Sequence, residues 1–200
     1  MTKIPVLNEW NEASEYLINL RSTVVNDIQP LLNTEGAAPF AISREVLCYI
    51  DHLSHLYTGR IEVGKRFSIF MNEVASKVDD NYRSRSEEIY RMYRNGTVHE
   101  FEPKTLENNK GYLLYWLCYR GERVENLEIE GSKYQVIHLV PCGGSGRYWL
   151  PVSTKCFVDD LIEFINLFIK SNQDDERKTF WNRAARELNN PVTYDFKIQP

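Results

Sequence analysis

The residues best suited to chemistry lie in one run, Tyr90-Arg91-Met92-Tyr93-Arg94-Asn95-Gly96-Thr97-Val98-His99-Glu100-Phe101. A neutral imidazole, with an ordinary pKa near ~6.5, takes a proton from a ribose 2′-hydroxyl or returns one to a leaving 5′-oxygen. A guanidinium offers a planar fork of donors to the charge that builds on phosphoryl oxygens. Arg94 and His99 therefore suit phosphodiester cleavage, with Asn95 available to hold the phosphate or orient His99. This chemistry calls for no metal and no cofactor. On an unbroken helix, five positions of separation would point the two side chains ~140° apart. The turn-forming Asn95-Gly96 pair interrupts the helix between them, and a kink at Gly96 lets both face one cleft.

Two other groupings carry weaker signals. Glu45, Cys48, His52 and His55 follow one another at steps of three, four and three, so they share one stripe of a helix. All four are zinc-ligand types, but a tetrahedral site draws ligands from a second element as well. The stripe reads as a mixed face against another helix or a partner. Gly143-Gly144-Ser145-Gly146 lacks the Lys-Ser/Thr ending of a phosphate-binding loop and precedes a strand-like segment, so it reads as a connecting loop.

The elements that must position these residues follow from hydrophobic spacing. Trp10, Ala13, Leu17, Leu20, Val24 and Ile28 mark a first helix, with Pro30 as its expected end. Ser43 is the expected cap of a second, striped by Val46 or Leu47, Ile50, Leu53 and Leu56 and closed by Gly59. A third carries Phe67, Phe70, Met71, Val74 and Val78. The fourth, about 81 to 94, carries Tyr82, Ile89, Tyr90 and Tyr93, with Ser84 and Glu87 spaced as a capping box. After Pro103 the texture changes to strands at 111–119, 127–130 and 134–140, with a further strand-like Tyr148-Trp149-Leu150. Tyr112, Tyr115, Trp116 and Tyr119 are aromatic enough to expect one face of this sheet against the helices. Helix returns at Ser153, with Phe157, Leu161, Phe164, Ile165 and Phe168 inward, and again around Phe180 to Leu188. The expected fold class is α+β, helix-dominated, with a small antiparallel sheet.

A helix-rich chain carrying Arg-Asn, a three-residue spacer, His, any residue and an aromatic resembles the HEPN superfamily of nucleotide-binding and ribonuclease domains. The match here is Arg94-Asn95-Gly96-Thr97-Val98-His99-Glu100-Phe101. It covers a helical core of about 8–101 and 153–190 within a single domain of 1–200, and sets 104–150 apart as a β-rich insertion. The resemblance implies an up-and-down helical core and a homodimer in which two motifs face each other. It implies metal-independent RNA cleavage by 2′-hydroxyl attack, with Arg94, Asn95 and His99 in the active-site positions. Some members are toxins held by an antitoxin or other regulatory protein. Where that protein is a small nucleotidyltransferase, the motif aromatic is a tyrosine that receives AMP. Phe101 has no hydroxyl to receive it. Other members are inactive and bind a nucleotide or a protein partner, which is the second functional class to weigh.

Composition bounds the partners. The 200 residues hold 24 basic against 28 acidic side chains, a net charge of -4. A general polyanion binder is basic, so RNA contact is expected to be local, and no DNA partner is expected. No apolar run approaches the ~18 residues of a membrane span. The opening MTKIPVLNEW lacks an apolar leader, and the four cysteines are scattered, so a cytoplasmic protein with reduced thiols is expected.

Overall fold

Leu17, Val24 and Ile28 are the buried stripe of the first helix. The computed structural model describes residues 11–34, 39–59, 62–94 and 103–171. In it α1 (Asn11–Thr23) continues through a π turn (Val24–Ile28) into α2 (Gln29–Leu32). Pro30 does not end this helix. In the wide turn Gln29 N–H donates to Val24 C=O, one residue further back than in an α-helix. That shift loosens the ladder just where the proline lacks a donor and its ring needs room.

The second helix, α3 (Pro39–Thr58), starts ahead of the expected cap. Ser43 sits inside it, buried, with its hydroxyl 3.4 Å from Cys118 Sγ. Gly59 does close it, at φ 57 and with its N–H on His55 C=O at 2.8 Å, a conformation glycine adopts without Cβ strain. Next come α4 (Val63–Glu73), which buries Phe67, Phe70 and Met71, and a 3₁₀ turn (Ala75–Lys77). The expected fourth helix is broken into α5 (Asn81–Ser84), α6 (Ser86–Ile89) and a second π turn (Tyr90–Arg94). The break falls at Arg85, at φ -117 and ψ 9. No Ser84–Glu87 capping box forms there. Ser84 Oγ donates to Asn81 C=O, and Glu87 pairs with Arg91.

The strands are β1 (Leu106–Glu107), β2 (Leu113–Tyr119), β3 (Val124–Ile129), β4 (Ser132–Ile137), β5 (Cys142–Gly144) and β6 (Arg147–Ser153). They form a four-stranded sheet, β1-β2-β6-β5, and a separate β3-β4 hairpin. The larger sheet is mixed rather than antiparallel throughout. β2 and β6 run parallel, Leu114 opposite Tyr148 and Trp116 opposite Leu150, and the hairpin lies in the crossover between them. The glycine cluster is also more than a connecting loop. Cys142–Gly144 is an edge strand, and Ser145 (φ 54) and Gly146 (φ 85) make the tight turn into β6.

Alternation along β2 divides the sheet into two faces. Leu114, Trp116 and Cys118, with Leu150 and Val152 of β6, pack on the helical core. Leu117, Tyr119 and Trp149 pack on the hairpin with Ile129 and Val136. The expected packing of one face on the helices is present through Trp116, while Tyr112 is 42% exposed. Ser153 caps the last described helix, α7 (Thr154–Ser171), by accepting Cys156 N–H at 3.1 Å. Its Phe157, Leu161, Phe164, Ile165 and Phe168 enter the core as their spacing predicts, each contributing about 1.5–3 kcal/mol by burial. The helix expected around Phe180 to Leu188 lies outside the described residues.

Candidate functional site

The helix that leads to the motif is held along its inner side. Tyr82, Ile89 and Met92 are fully buried. The Tyr90 ring lies 5.5 Å from that of Phe67 and against Gly64, where a Cβ would meet it at 3.4 Å. The π turn Tyr90–Arg94 packs on α3 and α4. Lys104 N–H donates to Met92 C=O at 2.9 Å, so the chain before and the chain after the motif segment are tied at one point. Arg94 closes the π turn through its backbone. Its side chain, with Asn95, His99 and Phe101, lies outside the described residues.

Outside that inner side the helix borders a groove of about 880 Å³. One wall carries Arg83, Arg85 and Arg91; the other carries Tyr112 and Tyr148. These tyrosines continue the helix-facing side of the sheet past the core, where no helix covers Tyr112 fully. Their rings are 6.0 Å apart and tilted by 43°. Asn108 Oδ1 fixes the turn before Tyr112 by accepting the N–H groups of Lys110 and Tyr112, at 2.9 and 3.0 Å. The arginines are paired with nearby carboxylates: Arg83 with Asp80 at 2.9 Å, Arg85 with Glu88 at 3.1 Å and Arg91 with Glu87 at 2.7 Å. Glu87, Glu88 and Glu107 also line the groove, so its formal charge is balanced. Arg91 also borders a second cleft of about 550 Å³ on the α4 side, beside Gly64, Ser68 and Tyr90.

A buried polar network that the sequence does not announce anchors the start of this helix. His138 has no exposed surface, and its Nδ1 accepts Ser153 N–H at 3.1 Å. That bond assigns the proton to Nε2, which lies 3.3 Å from the Tyr82 hydroxyl. Tyr82 in turn donates to Asp160 Oδ2 at 2.9 Å. The Arg123 guanidinium spans Asp160, at 2.7 and 2.9 Å, and Asp79. Burial, helped by Arg123, pushes His138 down to about 3, so the ring is neutral. Burial also raises Tyr82 and Asp160, against the opposing pull of Arg123. The network joins α5, α7, the end of β4 and the approach to β3. Next to His138, Leu139 sits at φ 61 with its N–H on Pro151 C=O at 2.8 Å, a conformation that costs a non-glycine residue about 1–2 kcal/mol. The network's donors and acceptors are spent on one another, which makes it a clasp.

No family model, curated protein or solved structure matches the chain. Function therefore rests on the molecule's own residues. No helix among the described residues is long and apolar enough to cross a membrane.

Of the Glu45, Cys48, His52 and His55 stripe, His52 and His55 face neighbouring helices, while Cys48 is exposed and Glu45 pairs with Arg44 of its own helix at 3.7 Å. His52 Nε2 meets the Tyr16 hydroxyl of α1 at 2.6 Å, and burial lowers its pKa. His55 Nδ1 lies 3.2 Å from Arg66 of α4, whose guanidinium also binds Asp51 at 3.0 Å. Among the described residues no group of three or more His, Cys, Asp and Glu side chains converges as a metal site. The signal for the clasp, by contrast, was a single polar residue, His138, inside the apolar run Val136 to Val140. Its partners are 56 residues away in Tyr82 and 15 away in Ser153, beyond any local pattern.

Proposed function

We propose that the protein is a metal-independent endoribonuclease with a HEPN-like helical core, acting in the cytoplasm in bacterial defence or stress. The observation that supports this reading most is the tie between Lys104 and Met92. It joins the chain on either side of the motif, between Arg91 and Leu106 of the groove lining, and one of its ends lies within the π turn. In the proposed reaction His99 takes the proton from the ribose 2′-hydroxyl. The 2′-oxygen attacks the adjacent phosphorus, and the bond to the 5′-oxygen breaks, leaving a 2′,3′-cyclic phosphate and a 5′-hydroxyl. Arg94 stabilises the phosphoryl oxygens and Asn95 holds the phosphate. The leaving oxygen needs a second proton donor, and a homodimer supplies a second His99 from the same sequence. An antitoxin or other regulatory protein would restrain such an activity.

A second reading, a catalytically silent dimerising module that binds a nucleotide or a protein, draws on the balanced charge of the groove. Purified protein incubated with mixed RNA in EDTA, beside His99→Ala, separates the two. The enzyme yields cyclic-phosphate ends that the variant does not; no cleavage at any protein concentration leaves the silent module.

A further inference from the structure

Resting on the ribonuclease reading, we propose that the groove is the substrate path and that it takes unpaired RNA, with bases stacking on Tyr112 and Tyr148 and phosphates on Arg91 and Arg83. The β-rich segment is then the base-binding wall of the site.

The two walls of the groove differ in the way a single strand requires. One is aromatic: Tyr112 is exposed, Tyr148 is half-buried, and the 43° tilt between their rings leaves ring faces to be covered by something else. Base faces fit that need, because every base has a π-face and stacking is tolerant of sequence. In a duplex those faces are already stacked on neighbouring pairs, and the rings have nothing to bind. The opposite wall carries guanidinium groups along a helix that runs towards the motif. Arg91 precedes Arg94 by three residues within the π turn, and Arg83 lies eight residues further back, beyond the break at Arg85.

Charge balance sets the kind of binding. The groove is neutral as it stands, so phosphates must displace Glu87 from Arg91, and Asp80 with the Ser76 hydroxyl and Asn72 carbonyl from Arg83. Both pairs are more than half exposed, and exposed pairs of this kind are weak. Arg85 is different. It is two-thirds buried, paired to Glu88, and its Nε is buried without a hydrogen-bond partner. It shapes the floor and is less free to turn to a ligand. With at most three arginines to neutralise phosphate, the slope of log affinity against log salt is no steeper than about -2. Stacking supplies the rest and is largely insensitive to salt.

The test uses full-length His99→Ala protein, which holds RNA uncut, and a fluorescein-labelled unstructured RNA of twelve nucleotides, alone or annealed to its complement. Anisotropy should show the single strand bound at least tenfold tighter than the duplex. Tyr112→Ala and Tyr148→Ala should each weaken single-strand binding about 5- to 150-fold, the range seen when a stacking ring is removed. Tyr112→Phe and Tyr148→Phe keep the ring and should restore binding, which separates stacking from a folding defect. Wild-type cleavage is followed in parallel. If the wild type cleaves while the duplex binds equally well, or both alanine variants bind like the parent, the stacking path is wrong and the ribonuclease reading stands. If the wild type does not cleave but single-strand binding still depends on both rings, the path is right and the ribonuclease reading fails.

Discussion

The clasp and the groove use the same side-chain chemistry to opposite ends. Each contains tyrosine, arginine and carboxylate, and each flanks the same helix, the clasp at Tyr82 and the groove from Arg83 to Arg91. In the clasp Asp160 is 5% exposed and His138 not at all, every partner is internal, and burial holds the imidazole neutral. In the groove the ion pairs of Arg83 and Arg91 are open to water, Tyr112 is exposed and Tyr148 is half-buried. Burial, more than residue type, separates the groups that hold the fold from those free to meet a ligand. His138, buried and held neutral, is a poor candidate for catalysis. A base near neutral pH must be able to titrate there.

The comparison breaks most visibly at the motif. Arg94→Ala should lower cleavage about 100- to 10,000-fold while moving folding stability by less than about 0.5 kcal/mol. Arg94→Lys should fail almost as badly, since an ammonium keeps the charge without the fork. Cleavage rates beside thermal melts of the same samples would check both. The clasp should behave in reverse. Asp160→Ala strands Arg123 and the Tyr82 hydroxyl, and should cost about 3 kcal/mol, near the low end for a broken buried pair because Arg123 is partly solvated. Urea denaturation measures this directly.

Titration sharpens the contrast further. His138 sits at about 3 when folded against an ordinary 6.5, so the folded state carries fewer protons between these values. Its contribution to stability is present above pH 6.5 and is lost as pH falls through that window. Asp160 is shifted upward, so just above the ordinary 3.8 its sign is opposite, and the lower end of the window is blunted. Between pH 6.5 and 5, where His138 dominates, the wild type should lose about 2 kcal/mol more than His138→Gln. Equal losses in the two proteins would show that His138 does not carry the acid sensitivity. The smallest effect belongs to the groove rim. Glu87→Gln releases Arg91 and should tighten binding of the single-stranded probe no more than about fivefold, with an unchanged melting temperature.

What the sequence disclosed follows the range of each signal. Helix faces, the Gly59 stop, the return of helix at Ser153 and the inward row from Phe157 to Phe168 are local, and periodicity or capping chemistry exposes them. Pro30 misled because a π turn absorbed it, and that adjustment leaves no mark in residue types. The parallel pairing of β2 with β6 was illegible, since register across an inserted hairpin is decided by tertiary packing. Tyr112 was taken for a packing residue with its neighbours. Its exposure depends on where α5 and α6 end relative to the sheet, which no local pattern encodes. The motif was read from six consecutive residues, Arg94 to His99, whose side chains lie outside the described residues.

The most direct measurement sets the two histidines side by side: RNA cleavage in EDTA and melting temperature for His99→Ala and His138→Ala. The expected result is a crossed pattern, with His99→Ala folded and inactive, and His138→Ala melting lower but cleaving normally per folded molecule. A His99→Ala protein that cleaves like the wild type, or that loses its fold along with its activity, would contradict the account.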